Sequence, residues 1–391
     1  MADLFGGGSA QRKLHRSSEK PLLGKIDFTG ERVTRVSITG KSYAIDNITF
    51  TFFTLPVYAP EKLCEELNDK VVKLNQQGLY SEATNVAEEA LKVAEEAFGS
   101  DHINVARSLN NVAALYLKQS KYTEAEPLYK RLLAIKENVL GQDHPDLILT
   151  LNNLAFLYHA QGEYSKAVPF CKRVLEIRKR VLGKDHPDVA RSLDDLANLY
   201  RFQSSKYTEA ESLYKRSLAT KEKALGKDHP DVVYALRNLA TFYHKQGKYA
   251  EAEPLYKREL AIQEKRFGKD HINVTTSLNY LAELYLNQGK YAEAEPLYKR
   301  ELAIKEKERG KDYPGVATSL NSLAGLYQTQ GKYNEAEPLY KRALEILEKA
   351  YGTDHPNVAT TLENMADFYE EIGKKEEAKE LAERAKRIRS K

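Results

Sequence analysis

The chain has 391 residues, of which 42% are hydrophobic and 30% charged, and its formal net charge at pH 7 is only +4. Such a balance is typical of a soluble folded protein and does not indicate nucleic-acid binding. No stretch approaches the roughly 18 apolar residues of a membrane span. The only two cysteines, Cys64 and Cys171, exclude a disulfide framework and a thiolate zinc site. Because the N-terminus has no apolar signal core, we expect a cytoplasmic protein.

The first 58 residues differ in composition from the rest of the chain. Residues 1–24 combine a glycine run with basic and polar residues, which predicts a flexible basic arm. Residues 25–58 are rich in Val, Ile, Thr, Phe and Tyr, which predicts two or three short strands. The apolar residues expected on these strands are Val33, Val36, Ile38, Ile48, Phe50 and Phe52. Since so short a ribbon is marginal alone in water, we expect it to dock on the first helices, a second copy of the chain or another protein.

From residue 59 onward the sequence repeats with a period of 42 residues. The octapeptide EAEPLYKR stands unaltered at 124–131, 251–258, 293–300 and 335–342. One step is 43 residues long, because Gln203-Ser204-Ser205-Lys206 stands where the next unit has Gln246-Gly247-Lys248. A period of this length indicates a solenoid, in which each unit packs mainly on its neighbours.

Each unit contains two amphipathic series that predict a pair of helices. In one first helix, apolar residues recur at i, i+3, i+4 and i+7, as in Leu236, Leu239, Ala240 and Tyr243. A turn at 246–248 separates them from a second apolar series that begins at Tyr249. We predict eight such pairs within 59–391, the first being 61–77 with 81–98 and the last 356–372 with 376–389. The highly charged residues 374–391 predict a C-terminal capping unit.

An Asp-His dipeptide recurs at the start of most units, at 101–102, 143–144, 185–186, 228–229, 270–271 and 354–355. Successive dipeptides belong to different units and are too far apart to share a metal ion. In four cases a proline follows, which predicts a helix start with proline in the first turn and an acidic residue that favours the helix dipole. No phosphate loop, nucleophile motif or paired catalytic carboxylates occur, so we expect a non-catalytic protein without a cofactor or metal.

The repeated residues resemble a known family. Leu239-Ala240-x-x-Tyr243, followed by Gly247, Tyr249, Ala252 and Tyr256, is similar to the tetratricopeptide repeat (TPR). The long period, with Leu-Asn-Asn-Leu-Ala at 151–155, resembles the kinesin-light-chain subtype. The resemblance covers about 61–389 and implies an all-α, right-handed TPR solenoid with a short N-terminal β-rich extension. The heptad coiled coil of motor light chains is missing from the sequence, so a motor light chain is not expected.

The resemblance also implies a concave groove, lined by the first helices, that binds extended peptides. Carried over to this sequence, its N-terminal half contains Arg107, Asn110, Lys118, Asn152, Phe156, His159, Arg191, Arg201, Phe202, Tyr234, Arg237, His244 and Lys245. The corresponding positions of the last three first helices carry five acidic and no basic residues, which predicts a bipolar groove. The amides would bond a peptide backbone and the aromatic rings would supply apolar contacts.

Two functional interpretations follow. The first is a protein–protein interaction scaffold, or adaptor, that binds an acidic extended segment of a partner in the groove. The second is a structural assembly protein that links or spaces subunits of a larger complex, filament or tubule through residues 25–58 and the array, with self-association as one form. Neither requires a nucleic acid or a membrane span.

Overall fold

The computed structural model describes residues 2–5, 35–38 and 60–390. By its internal contacts the chain divides into two units, Met1–Val57 and Tyr58–Lys391. In the first unit, β1 (Ala2–Phe5) pairs antiparallel with β2 (Arg35–Ile38), so that Ala2 lies opposite Ile38. Strand β1 falls within the range predicted as a flexible arm. The docking role of residues 25–58 stays a prediction, since Val36 and Ile38 lie in β2 whereas Val33, Ile48, Phe50 and Phe52 lie outside the described residues.

The second unit is built from helices alone across residues 60–390, which confirms the predicted helical solenoid of eight pairs. The pairs are α1 (Pro60–Gln76) and α2 (Tyr80–Phe98), α3 (Ala106–Lys118) and α4 (Tyr122–Leu140), α5 (Ile148–Ala160) and α6 (Tyr164–Leu182), α7 (Pro187–Tyr200) and α8 (Tyr207–Leu225), α9 (Val232–Lys245) and α10 (Tyr249–Phe267), α11 (Thr275–Asn287) and α12 (Tyr291–Arg309), α13 (Pro314–Thr329) and α14 (Tyr333–Tyr351), and α15 (Pro356–Glu371) and α16 (Lys375–Arg389). Each second helix packs on its own first helix and, from α2 to α14, also on the first helix of the next pair.

The apolar stripes of the helices form the interior of the array. Leu236 and Ala240 are fully buried, and Tyr243 is only 6% exposed. One cluster of buried side chains extends from Cys64 in α1 to Ala378 in α16, because each pair covers the stripe of the next. Among the described residues, no helix has the length and apolar content needed to cross a membrane.

The recurring Asp-His dipeptides do mark helix starts, but the imidazole makes the cap. In all six cases the histidine Nδ1 accepts a hydrogen bond from the backbone N–H two residues later, at 3.1–3.2 Å. The first N–H groups of a helix have no partner within it, so this bond satisfies one of them. The sequence prediction credited the acidic residue instead, because histidine is a less familiar cap. The seventh pair has Tyr313 at this position and no side-chain cap.

The 43-residue step changes the turn inside the fourth pair. Most pairs turn from first to second helix through a glycine with positive φ, such as Gly247 at 71° between α9 and α10. Between α7 and α8 no residue has a positive φ, and Ser204–Lys206 form a short 3₁₀ helix instead. The extra residue is therefore accommodated by a different turn, at the place the sequence indicated.

Two recurring polar contacts, here called rungs, join consecutive pairs. In the tyrosine rung, a tyrosine hydroxyl near the end of a first helix donates to a glutamate of the preceding second helix, as Tyr243 does to Glu211 at 3.0 Å. In the arginine rung, an arginine pairs with a glutamate near the end of the preceding second helix, as Arg342 does with Glu306 at 2.6 Å. The other tyrosine rungs are Tyr116–Glu88, Tyr158–Glu126, Tyr285–Glu253, Tyr327–Glu295 and Tyr369–Glu337, and the other arginine rungs are Arg131–Glu95, Arg173–Glu137, Arg258–Glu222, Arg300–Glu264 and Arg384–Glu348.

One junction, between the third and fourth pairs, carries neither rung among the described residues. Helix α6 has Val168 where the tyrosine rung needs glutamate, and Lys179 where the arginine rung needs it. Tyr200 and Arg216 consequently lack the partners that their counterparts have at the six other junctions. This boundary, from α6 to α7 and α8, is called the irregular junction below.

Candidate functional site

The exposed sides of the first helices, here called the first-helix face, form a connected surface. Side chains reach from one first helix to the next: Arg107 in α3 contacts Asp69 in α1 at 2.7 Å. Likewise, Asn287 Nδ2 in α11 lies 2.8 Å from His244 Nε2 in α9. The thirteen residues predicted from the sequence all lie on α3, α5, α7 and α9 or directly after α7, and none is buried.

A recess of about 670 Å³ opens on this face against α5, α7 and α9 and is here called the central recess. A smaller recess of about 150 Å³ beside Phe202 shares Arg201 with it. A third, of about 340 Å³, shares Lys245 with the second and extends to α11. The three openings thus follow one another from α5 to α11, and their sizes suit side chains of an extended segment.

The recesses bring together seven of the thirteen predicted residues: Asn152, Phe156, His159, Arg201, Phe202, His244 and Lys245. The other six are Arg107, Asn110, Lys118, Arg191, Tyr234 and Arg237, which lie on the same helices but line none of the three. Arg107 lines a separate opening against α1.

Aromatic side chains concentrate beside the irregular junction. Phe202 stacks on Tyr164 with ring centroids 4.4 Å apart, and His159 meets Phe202 edge-on at 5.8 Å. Nevertheless Phe202 is 44% exposed, and Phe156 is 59% exposed. Exposed rings held in place by neighbours are well suited to contact an apolar side chain of a partner.

The predicted cations of the face differ in what they already contact. Arg237 bonds Glu259 of α10, whose carboxylate is fully buried and also accepts from Ser277. Burial raises the pKa of the Glu259 carboxyl, and the Arg237 charge opposes that rise. Arg237 is thus part of the interior. Arg191 is 3.7 Å from Asp188, an exposed and weak contact, so its charge remains available to a partner.

Sequence reasoning missed a second row of residues on the face, one position after the repeat position that holds Asn110 and Asn152. This row consists of Asp69, Asn111, Asn153, Asp195, Asn238, Tyr280, Ser322 and Asn364, none of which is buried. Asn153, Asp195 and Asn238 line the central recess together with Asn198. The signal was in the sequence, since asparagine is doubled at 110–111 and 152–153.

The arrangement offers amides, cations, exposed rings and two carboxylates, Asp195 and Glu283, which are groups that bind an extended polypeptide. Burial lowers the pKa of His244, so its imidazole is neutral at pH 7 and can bond by hydrogen bonding alone. Among the described residues, no group of three His, Cys, Asp or Glu could hold a metal ion.

A family model described as tetratricopeptide repeat matches seven overlapping segments: 74–138, 105–180, 146–223, 201–265, 231–307, 273–349 and 315–391. The chain belongs to the tetratricopeptide repeat family. Solenoids of this kind present extended surfaces for binding other proteins. No curated relative matches the sequence.

Several solved structures are similar to this TPR array. A putative kinesin light chain with nearly identical TPR-like repeats from Podosopora anserina is 26% identical, covers 53% of this chain and 97% of its own, and has a TM-score of 0.48. BtubC (BKLC) from P. vanneervenii is 25% identical over 61% of this chain and 91% of its own, with a TM-score of 0.47. The apo form of the quorum sensor NprR from B. thuringiensis is 17% identical over 85% and 89%, with a TM-score of 0.56, a likeness of fold.

Proposed function

We propose that this TPR protein is a non-catalytic scaffold that binds an acidic, extended segment of a partner protein on its first-helix face. The central recess carries the proposal, because exposed Phe156, several amides and the cation Arg201 line one opening there. The two recesses that follow toward α11 add Phe202 and Lys245 along the same line.

The charges indicate the chemistry of the segment. Arg191, Arg201 and Lys245 lie on or beside α7 and α9 and face solvent at least in part. Each exposed ion pair contributes only about 0.2–1 kcal/mol, so affinity requires several of them together with an apolar side chain seated near Phe202. We expect micromolar binding, about 8 kcal/mol in total. It should weaken with salt, which screens exposed charges beyond about 10 Å at 0.1 M.

The test reverses three cations of the face, in the variant Arg191→Glu/Arg201→Glu/Lys245→Glu. Arg237 is left unchanged, because its loss would leave Glu259 buried without its partner. The matched control, Lys172→Glu/Lys307→Glu/Lys311→Glu, makes the same change of net charge at exposed positions on second helices and a turn.

The probes are labelled twelve-residue peptides rich in Asp and Glu with one Leu or Phe, followed by fluorescence anisotropy at low and high salt. We expect the control to bind as the unchanged protein does and the face variant to bind at least tenfold more weakly. Equal binding by both variants would place the active surface elsewhere and remove the adaptor function.

A further inference from the structure

The second row has two charged residues, Asp69 and Asp195, and Asp69 is already paired with Arg107 at 2.7 Å. In four other pairs the same position holds asparagine, at Asn111, Asn153, Asn238 and Asn364. Helix α7 therefore presents a carboxylate at a position where four other pairs present an amide. Its side chain lines the central recess and is reached by solvent.

The carboxylate has no hydrogen bond or ion pair within the part of the chain that the structure describes, although three cations lie near it. Arg178 donates to Ser192 Oγ at 2.7 Å, and Lys221 pairs with the buried Asp194 at 2.9 Å. Arg191 lies closest to Asp188, at 3.7 Å.

The charge of Asp195 is influenced by groups on several sides, although solvent reaches its side chain. Desolvation by the surrounding atoms, and then the neighbouring charge of Asp194, raise its pKa to about 6, against the opposing charges of Arg178, Arg191 and Lys221. The other titratable groups of the recess are His159 from α5, Arg201 after α7 and Cys171 from α6. Burial and the charge of Asp195 raise the pKa of the Cys171 thiol, which stays neutral. A cation delivered into the recess would give the Asp195 carboxylate the charge-assisted hydrogen bond that it lacks.

The remaining walls suit a long basic side chain. Phe156 offers an aromatic surface for an aliphatic stem or a cationic head, and the side-chain oxygens of Asn153 and Asn238 can accept further N–H groups. Asn198 Oδ1 already accepts from the Tyr214 hydroxyl and has one lone pair left for a second donor. A guanidinium or ammonium group has several donors, and this ring of acceptors matches them. A small neutral side chain would leave the carboxylate unpaired.

We infer that the central recess takes an arginine or lysine side chain of the bound segment, with Asp195 as its carboxylate partner. The inference rests on the proposed function and sharpens it. The partner segment carries one basic residue among its acidic ones. The basic residue pairs with Asp195, and the acidic residues pair with Arg191, Arg201 and Lys245.

The test uses a displayed library of random twelve-residue peptides, selected on the full chain and on its Asp195→Asn variant. Asparagine occupies this position in four other pairs, so the variant should fold. The control is Asp367→Asn, which removes one carboxylate from α15 on the same face. Peptides selected on the full chain and on the control should share acidic residues and one basic residue, whereas Asp195→Asn should select the acidic residues alone.

A synthetic consensus peptide then measures the pairing. Replacing its basic residue by glutamine should weaken binding to the full chain at least tenfold and leave binding to Asp195→Asn unchanged. Affinity of the basic peptide for the full chain should also fall as pH drops from 7 to 5, because Asp195 takes up a proton near pH 6.

The outcomes separate the two proposals. Acidic peptides without a basic residue from the full chain, or a basic residue selected equally by Asp195→Asn, would overturn the role of Asp195 and leave the scaffold function standing. A third outcome is that the selected peptides contain a basic residue that depends on Asp195 but no acidic residues. This result would support the pairing of Asp195 with a basic side chain and refute the proposal that the partner segment is acidic. If neither residue type is enriched, both proposals fail.

Discussion

The irregular junction and the six regular junctions are built on the same helical repeat but hold their helices together differently. Each regular junction has a tyrosine rung and an arginine rung, as between Tyr243 and Glu211. At the irregular junction Val168 and Lys179 replace both glutamates, and the turn from α7 to α8 carries the extra residue. The central recess lies beside this junction, against α5 and α7.

The irregular junction and the central recess lie side by side, which indicates where the repeat sequence varies. At the six regular junctions, the residues that form the rungs recur from pair to pair. Beside the central recess, three features differ from the other pairs: the turn between the helices, the rungs and the exposed residues. A break in local regularity with no gain in stability is expected at functional sites. The proposed binding site therefore lies in the part of the array whose turn and rungs differ most from the repeat pattern.

The largest expected effect comes from breaking a regular junction at its buried charge. Glu259→Ala removes the carboxylate between α9, α10 and α11 and leaves Arg237, whose side chain is only 19% exposed, without its partner. We expect a loss of about 3 kcal/mol in the free energy of unfolding, as for other broken buried pairs. Urea unfolding followed by circular dichroism measures it.

The control for this variant copies another pair of the same array. In the second pair the two positions hold Asn110 and Leu132, which need no charge. Arg237→Asn/Glu259→Leu should therefore recover most of the lost stability, because removing both charges leaves neither unpaired. A double variant as unstable as Glu259→Ala would show that the charge itself is not what stabilises this junction.

A smaller effect separates the two kinds of junction directly. Tyr243→Phe deletes a hydroxyl that donates to Glu211 and should lower stability by about 1 kcal/mol. Tyr200→Phe makes the same change at the irregular junction, where the hydroxyl has no rung, and should stay within about 0.5 kcal/mol of the unchanged protein. Equal losses in the two variants would mean that the tyrosine rungs contribute nothing of their own.

The smallest effect should come from repairing the irregular junction. Val168→Glu/Lys179→Glu supplies both missing glutamates, for Tyr200 and Arg216. Since such contacts are partly exposed, we expect a gain of at most about 1 kcal/mol. Amide hydrogen exchange of α7 and α8 should slow while that of α13 and α14 stays the same. Unchanged or faster exchange in α7 and α8 would refute a role of the rungs at this junction.

The helices could be predicted because the period of the apolar residues and the residues of the turns indicate the same helix boundaries in each pair. The first pair was expected at 61–77 and 81–98, and the structure has Pro60–Gln76 and Tyr80–Phe98. The candidate site was only partly predictable. Neighbouring positions on a helix differ by about 100° in direction, so periodicity alone did not show that Asp195 and Asn238 line the recess as well as Asn152.

The role of Arg237 shows a different limit. Its partner Glu259 stands where the second pair has an apolar residue, Leu132, and no pattern in the sequence of α10 reveals that this glutamate points inward. The same holds for the histidine caps, where the dipeptide located the helix start but not the group that bonds to it. Geometry between elements decided both cases.

The identical octapeptides of α4, α10, α12 and α14 have a consequence for folding. During folding, a first helix can pack against several second helices of nearly the same sequence. Arrays with misaligned pairs would therefore differ little in energy from the native one. The α6 to α8 segment fits only one place, because Val168, Lys179 and the longer turn match no other pair. Because it can pack correctly at only one position, this segment can fix the register in which the other helix pairs assemble.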